Sequence, residues 1–193
     1  FLKSKQIIMA QLGINPWHST EQIGLQMPKK RYQAMTDYFN EIGPYGIKMM
    51  RQTCTIQVNL DFGATNDILS KRYLAAQLIS PFATAIFANS PIVEGKLTGH
   101  KSFRSYIWQN LDSTRTGFPD IDSFADSLNH DLVFKSYVDF AMNAQVIFKE
   151  DPEFDRAPPN YTMREWCLEA HPDHRPSAQE INTHLSLLFP EVR

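Results

Sequence analysis

An α+β fold is predicted by three features of this sequence. One segment alternates apolar and polar side chains with the period of a β-strand, several others repeat apolar residues with helical period, and no internal repeat or low-complexity tract separates them. Apolar residues make up 42% of the 193 positions and aromatic residues 12%, which is enough for one sizeable core. We therefore expect a single folded domain.

The amino-terminal part predicts a strand followed by a helix. Residues 6–13 are apolar and short, and a turn signal at Asn15-Pro16 follows them, which is typical of a buried strand. Beyond Pro28, aromatic and aliphatic side chains recur at helical spacing as far as Ile42, and Gly43 suits a helix cap. A helix is expected between Pro28 and Gly43.

The clearest strand pattern covers residues 51–62. Its apolar face carries Cys54, Ile56, Val58, Leu60 and Phe62, and its polar face carries Thr53, Thr55, Gln57, Asn59 and Asp61. Successive side chains on one face lie about 7 Å apart. A solvated sheet face and a ligand-binding face both produce this alternation, so both interpretations stay open.

The remaining elements are expected to be mostly helical. We expect a helix that starts at Asn66 or Asp67, is kinked or restarted at Pro81 and ends before Ser90-Pro91. The Gly-, Ser- and Arg-rich stretch 95–119 predicts an ordered loop or a short strand and helix. The carboxy-terminal third predicts a helix at 132–148, a loop at 151–160, a short helix at 162–170 and a last helix from Ser177, with Glu180 completing a capping box.

Charge and cysteine usage exclude several classes of protein. The formal net charge is −2, from 19 basic and 21 acidic residues, and the longest basic block is Lys29-Lys30-Arg31, which argues against nucleic acid as a partner. The least charged stretch, 73–93, contains prolines, amides and hydroxyls and is a poor membrane span. Cys54 and Cys167 form neither a CxxC pair nor a secreted disulfide framework, so a reducing cytoplasm is the expected location.

Two arginines are the candidate anion-binding groups. Arg31 and Arg104 each carry a planar fork of donors that fits a carboxylate or a phosphate, although a single arginine is also common on a plain surface. If residues 102–108 are helical, Trp108 shares a face with Arg104 and either walls a pocket or packs in the core. The row Thr55, Gln57 and Asn59 is suited to orienting a charged small substrate or to binding a hard cation through oxygen.

Other reactive side chains carry weaker signals. Cys54 lies on the apolar strand face, which predicts a buried and inert thiol. His171 and His174 lack the further His or Cys ligands of a zinc site.

Six strings occur in one order along nearly the whole chain. They are MPKKRY at 27–32, GPYGIKMMRQTCTIQVNLDF at 43–62, FANSP at 87–91, SFRSYIW at 102–108, RTG at 115–117 and LFPEVR at 188–193. Together they resemble the plant and proteobacterial type of glutamate-cysteine ligase. The resemblance implies that residues 1–193 are the central part of a single catalytic domain, with further parts of that domain before and after it.

The resemblance carries expectations about fold and chemistry. It implies a glutamine-synthetase-like architecture, in which an antiparallel sheet forms a funnel with helices packed outside. It also implies ATP and Mg²⁺ as cofactors, glutamate, cysteine and ATP as small-molecule partners, and ligation through a γ-glutamyl phosphate. Neither nucleic acid nor a membrane is an expected partner, and exposed edge strands would favour self-association into a homo-oligomer.

Site residues carried over from the family coincide with the candidates above. Arg104 matches the arginine that binds the glutamate carboxylate, Trp108 the neighbouring pocket tryptophan, and Arg31 an arginine that acts near the phosphoryl group. Thr55, Gln57 and Asn59 match the strand that lines the pocket, with Gln57 as a ligand of magnesium or glutamate.

One departure leaves the amine acceptor open. Ile147 stands where the family has a tyrosine near the cysteine acceptor, and GPYG at 43–46 with REW at 164–166 also resembles the branch that serves ergothioneine synthesis. A related ligase with another acceptor, a noncatalytic amino-acid-binding domain and a plain scaffold are therefore alternatives. Full solvent exposure of Gln57 and Asn59 would favour the scaffold.

Overall fold

The structure is a computed structural model that describes residues 1–120, 129–149, 155–169 and 171–192. Helices dominate these residues, and short 3-10 turns occur at Lys3–Lys5 and Pro172–His174. In chain order the α-helices are α1 (Thr20–Ile23), α2 (Lys30–Ile42), α3 (Pro44–Gln52), α4 (Asn66–Ile86), α5 (Phe103–Gln109), α6 (His130–Asn143), α7 (Met163–Cys167) and α8 (Ala178–Leu185).

The described strands form three ribbons of two strands each. Strand β1 (Ile92–Val93) pairs antiparallel with β2 (Lys96–Leu97), and β4 (Phe148–Lys149) pairs antiparallel with β5 (Asp155–Arg156). Strand β3 (Thr116–Gly117) pairs in parallel with β6 (Phe189–Pro190). The α+β class is confirmed at this level, while these ribbons do not by themselves form a funnel.

Local capping signals predicted most helices correctly. Helix α2 ends at Gly43, whose φ of 140° suits glycine, and whose N–H donates to the Phe39 carbonyl. Ser177 and Glu180 form the predicted capping box of α8. The cap of α4 is Thr65 rather than Asn66 or Asp67, and α4 continues through Pro81 instead of restarting there.

Helix α6 and its surroundings match their predicted types with different bounds. The helix expected at 132–148 runs from His130 to Asn143, and the short helix expected at 162–170 is α7. Residues 151–154 of the expected loop and residue 170 lie outside the described residues. The stretch 95–119 contains β2, α5 and β3, as expected.

Both predicted strands of the amino-terminal half are wrong in this structure. Residues 6–13 form no strand, and Ile8 is 92% exposed. Residues 51 and 52 end α3, Thr53 makes an isolated bridge with Ile14, and residues 54–62 have no regular secondary structure. A strand needs a neighbour for its backbone groups. The Cys54 N–H donates to the Gly13 carbonyl, but no described segment forms a β-ladder with residues 55–62.

The main core forms around α2 and α3. Phe39 is completely buried and packs with residues that lie far apart in sequence, among them Ile47, Ile147 and Leu187. A side chain at Gly46 would collide with the Phe39 ring, so glycine permits the close approach of α3 to α2. Among the described residues, no helix has the length and apolarity that crossing a bilayer requires.

A buried ion pair joins four parts of the chain. Arg115 has no exposed surface, and its Nε donates to Asp112 Oδ2 over 2.6 Å. Arg115 Nη1 donates to the Leu187 carbonyl over 3.0 Å, and Nη2 donates to the Gln145 carbonyl over 2.6 Å. The Tyr38 hydroxyl donates to Asp112 Oδ2 over 2.6 Å, and the Tyr38 ring lies 5.5 Å from the guanidinium.

The charges of this group compensate for its burial. Burial opposes ionisation of Asp112, but Arg115 and hydrogen bonds from Tyr38 and Thr114 outweigh it, so the pKa of Asp112 lies below its ordinary value. Burial raises the pKa of Tyr38 to about 12, so the hydroxyl keeps its proton. The ion pair is therefore charged and hydrogen-bonded throughout the physiological pH range.

A second buried titratable group connects α8 to α6. His184 is 4% exposed, and its Nε2 donates to the Ala141 carbonyl over 2.9 Å. Burial lowers the pKa of His184 to about 4, and the charge of Arg115 adds to this effect. His184 is therefore neutral at pH 7.

Replacing Arg115 by methionine should destabilise the protein by about 3–5 kcal/mol, because Asp112 would be left as an unpaired buried charge. Chemical denaturation of the full-length protein would measure this loss. The double variant R115M/D112N should recover part of it, and R164M, which removes an exposed ion pair with Asp139, should cost less than about 1 kcal/mol. An R115M/D112N variant at least as unstable as R115M would contradict the interpretation.

Stability should fall as the pH drops from about 6.5 towards about 4, because unfolded His184 takes up a proton that the folded side chain excludes. Above pH 6.5 the full contribution is present, and across the window about 3 kcal/mol is lost. Unfolding free energies at a series of pH values would test this. An H184N variant keeps a donor for Ala141 but cannot titrate, so its profile should be flatter over the same window.

Candidate active site

Arg104 lies in the first turn of α5, where local contacts fix the backbone. The Ser102 side chain caps this helix by accepting from the Ser105 N–H. The Arg104 N–H donates to Ser90 Oγ over 3.1 Å, and Ser90 forms a parallel bridge with Ser102. The FANSP and SFRSYIW strings therefore meet at the start of α5.

The Arg104 guanidinium contacts two other residues that the sequence predicted for the same site, Trp108 and Thr55. Its central carbon lies 5.2 Å from the centre of the Trp108 ring, so the expected shared helix face is confirmed. Arg104 Nε donates to the Cys54 carbonyl over 2.8 Å, and Nη2 donates to Thr55 Oγ1 over 3.2 Å. Arg104 therefore contacts both Trp108 and Thr55.

The environment of Arg104 is half-buried and electrostatically mixed. Burial lowers the pKa of Arg104 below its ordinary value, while the nearby Glu191 carboxylate acts in the opposite direction. An arginine in a protein stays protonated, so Arg104 is a fixed cation here. Its hydrogen bonds to described residues use Nε and Nη2, which leaves Nη1 open to a further acceptor.

A cavity of about 160 Å³ adjoins Trp108. It lies between the carboxy-terminal half of α4, one face of α5, and the β3/β6 pair. Its lining combines hydroxyl groups, aromatic rings and one carboxylate, contributed by Ser80, Pro81, Thr84, Ser105, Trp108, Gln109, Thr116, Gly117, Phe118, Phe189 and Glu191.

The segment 186–191 links the buried ion pair to this cavity. The Leu187 carbonyl accepts from Arg115, and the Phe189 N–H donates to the Arg115 carbonyl over 2.8 Å. The Phe189 ring meets the Trp108 ring edge-on, with centroids 5.5 Å apart, and Glu191 lines the cavity. Sequence reasoning used RTG and LFPEVR only as signs of resemblance, so it missed Arg115, Phe189 and Glu191 as neighbours of the site.

Arg31 takes a separate place at the start of α2. Its Nη2 donates to Ser186 Oγ over 2.7 Å, at the beginning of the 186–191 segment. Its Nε is buried and has no hydrogen-bond partner among the described residues. Among the described residues no hydrogen bond joins Arg31 to Arg104, and the 186–191 segment lies near both, through Ser186 at one end and Glu191 at the other.

Gln57 and Asn59 are exposed and, among the described residues, contact none of the other candidates. The apolar neighbours Ile56 and Val58 are also exposed, at 91% and 76%. The exposure of the two amides is the outcome expected of the scaffold alternative, and it extends to both faces of this segment because no described strand pairs with it.

Three further expectations about side chains can be compared with the structure. Cys54 was expected to be buried, but its thiol is exposed because no strand forms around it. Ile147 is 2% exposed and packs in the main core, and it does not line the cavity beside Trp108. His171 and His174 have rings 4.9 Å apart, and the described residues contain no group of three or more metal-binding side chains.

Comparison with known proteins places these motifs in one family. The family model described as Glutamate-cysteine ligase family 2 (GCS2) matches residues 6–193.

The chain belongs to this family.

Curated plant relatives agree with the family assignment. The chain is 39% identical to "Glutamate--cysteine ligase, chloroplastic" of Arabidopsis thaliana, over 94% of this chain and 34% of the relative. The proteins of the same name from Medicago truncatula and Nicotiana tabacum are each 38% identical, over 94% and 86% of this chain and 35% and 31% of theirs. The chain thus spans about a third of the length of these relatives.

The comparison also bears on location. The relatives are named chloroplastic, whereas cysteine usage alone predicted a cytoplasmic protein. The cytoplasmic location is therefore not confirmed and stays a prediction.

A double-mutant cycle should show that Arg104 and Trp108 stabilise each other. Unfolding free energies of R104M, W108L and the double variant should give a coupling of about 0.5–2 kcal/mol, the range of a partly desolvated cation–π contact. Tyr106 provides the control, because it packs against His100 and Phe103 rather than under the guanidinium. A coupling of Arg104 with Tyr106 as large as that with Trp108 would contradict a specific ring contact.

Proposed function

We propose that this chain is part of an ATP-dependent ligase that forms γ-glutamylcysteine from glutamate and cysteine, the first step of glutathione synthesis. The reaction would proceed through transfer of the γ-phosphoryl group of ATP to the side-chain carboxylate of glutamate, followed by attack of the cysteine amine on the acyl phosphate. Membership of the glutamate-cysteine ligase family supports the class of reaction.

The observation that carries the proposal is the environment of Arg104. A guanidinium held over an aromatic ring, with one nitrogen open, is oriented to receive a carboxylate through charge-assisted hydrogen bonds. The Trp108 ring packs against the guanidinium. The Thr55 hydroxyl accepts a hydrogen bond from Nη2 and so fixes the orientation of the guanidinium. In the proposed reaction, Arg104 holds the glutamate carboxylate while the distal carboxylate reacts.

Arg31 is the proposed partner of the transferring phosphoryl group. Its buried Nε without a partner is the kind of donor that an anion would satisfy. A fixed cation there would stabilise the negative charge that develops during transfer. Within the described residues, the unpaired Nε of Arg31 is the feature that suits a phosphate group of ATP.

Magnesium is not accommodated by the described residues alone. Mg²⁺ prefers several oxygen ligands in octahedral geometry, whereas the predicted ligand Gln57 is a single exposed amide, and no cluster of acidic side chains accompanies it there. We therefore derive no step through a metal from this chain.

The exposed segment 54–62 supports the funnel that the resemblance implies. Its alternating pattern has the form of a half-buried strand, yet the described chain leaves it unpaired. We propose that it pairs with other parts of the protein, so that Thr55, Gln57 and Asn59 face the interior of an antiparallel sheet. Residues 1–193 would then be the central part of a single catalytic domain.

The amine acceptor is the least determined part of the proposal. Ile147, at the position where the family tyrosine was expected, is a core residue here and cannot contact an acceptor without rearrangement. Cysteine is proposed because the relatives are named glutamate–cysteine ligases. Two alternatives remain within the class of carboxylate-amine ligases. The enzyme uses another amine as acceptor, or it makes γ-glutamylcysteine for ergothioneine synthesis.

The deciding assay measures phosphate release by the full-length protein with ATP, glutamate and Mg²⁺, while the amine acceptor is varied. Release that depends on both glutamate and cysteine would support the proposal. Release only with a different amine would keep the class and change the acceptor. Absence of release with every amine would favour a noncatalytic amino-acid-binding domain.

Arg104→Ala in the full-length protein should lower kcat/KM for glutamate by about 10- to 150-fold, because removing a charged hydrogen-bond donor costs on the order of 1.5–3 kcal/mol per bond. The KM for ATP should change little. R164A removes an exposed arginine that pairs with Asp139 and serves as the control. Unchanged turnover in R104A at subsaturating glutamate would refute the assigned role.

A further inference from the structure

Gly13 lies where the segments 6–13 and 54–62 meet the candidate site. Its carbonyl accepts a hydrogen bond from the Cys54 N–H over 3.0 Å. The Cys54 carbonyl in turn accepts from Arg104 Nε over 2.8 Å. Gly13 is therefore connected to the Arg104 guanidinium through a single intervening residue.

The structure leaves little room for a side chain at residue 13. A Cβ atom there would lie 2.8 Å from Asn89 Oδ1, which is closer than real Cβ contacts come. It would also lie 3.5 Å from Arg104 Cδ and 3.5 Å from Ser90 Cβ, which are ordinary van der Waals distances. Gly13 does not have a positive φ, so its backbone conformation does not require glycine. Glycine is needed here for space.

The neighbours of Gly13 also carry the backbone of Arg104. Asn89 Nδ2 donates to the Gln11 carbonyl over 3.2 Å. Ser90, the next residue, accepts from the Arg104 N–H through its Oγ over 3.1 Å. A side chain at residue 13 that displaced the Asn89 amide would therefore disturb the contacts that place both ends of Arg104.

Two side chains take the place of a continuing β-ladder beside Gly13. The antiparallel bridge between the two segments sets a register in which the next carbonyl of each would accept from a backbone N–H of the other. Arg104 Nε instead donates to that carbonyl at Cys54, and Asn89 Nδ2 donates to it at Gln11. Both side chains thus lie between the segments and pack on residue 13.

We propose that Gly13 is a positioning residue for Arg104. Because it has no side chain, the Asn89 amide and the Arg104 stem fit beside it, and the guanidinium reaches Cys54 and Thr55 in the orientation that receives a carboxylate. This inference rests on the proposed function, because it deepens the role given to Arg104. The affinity for glutamate then depends on the size of the side chain at residue 13.

Replacing Gly13 by alanine and by valine in the full-length protein tests this role. G13A should raise the KM for glutamate only slightly, because the added Cβ meets the flexible end of Asn89. Valine adds two methyl groups that also crowd the Arg104 stem. G13V should raise this KM by about 10- to 100-fold, the effect of displacing a binding group by about 1 Å, while kcat and the KM for ATP change little. Phosphate release measures all three constants.

Double variants show whether the effect passes through Arg104. In the R104A background, G13V should cause no further rise in the KM for glutamate, because the group that it displaces is already absent. In the N89A background, G13A should cost less than it does alone, because the atom that its Cβ meets has been removed.

A matched control and a measure of folding complete the experiment. A10V adds bulk at an exposed position of the same segment and should leave the KM for glutamate unchanged. Thermal unfolding of each variant establishes that the fold is intact. If G13V does not fold, G13A alone and in the N89A background carries the comparison.

The outcomes distinguish this inference from the proposed function. An unchanged KM for glutamate in G13V, or a rise of the same size in the R104A background, would overturn the role of Gly13 while glutamate-dependent phosphate release upheld the ligase. An equal rise in the KM for ATP would also overturn it, because it indicates a general disturbance of the fold. Absence of phosphate release by the unmodified protein with every amine would overturn both.

Discussion

The buried guanidinium of Arg115 is the interaction on which the arrangement of this chain depends. A charge without solvent contact is tolerated only when it is paired and its donors are satisfied. Here the charge partner, Asp112, lies three residues away, whereas the carbonyls of Gln145 after α6 and of Leu187 after α8 come from distant parts of the sequence. Tyr38 of α2 completes the group by donating to the same carboxylate.

The consequences of this constraint extend to the candidate site. Because Arg115 binds Leu187 through its side chain and Phe189 through its backbone, the segment 186–191 has little freedom to move away from β3. That segment supplies the ring that meets Trp108 and the carboxylate that lines the cavity. The buried ion pair and the proposed ligand-binding surface are thereby connected through one segment, 186–191.

The exposed part of the chain has a different physical character. Helices satisfy their backbone groups internally, so α2 to α6 form wherever caps and apolar periodicity permit. Strands depend on partners, and in the described part of the chain the segments 6–13 and 54–62 are joined at one end, where the Cys54 N–H donates to the Gly13 carbonyl beside the Ile14–Thr53 bridge. Arg104 nevertheless reaches Cys54 and Thr55, so one end of the alternating segment is attached to the site even though the rest is solvent-exposed.

The sequence by itself determined helices α2, α4, α6, α7 and α8, the α+β class, the family and the pairing of Arg104 with Trp108, whereas it missed α1 and α3. These follow from local rules: Ser177 and Glu180 cap a helix through neighbours in the chain, and Arg104 and Trp108 are four residues apart on one helix. The tertiary structure alone decided that Ile147 is a core residue and that Arg115, Phe189 and Glu191 lie beside the candidate site. Their places depend on contacts between residues far apart in sequence, and neither spacing nor periodicity encodes such contacts.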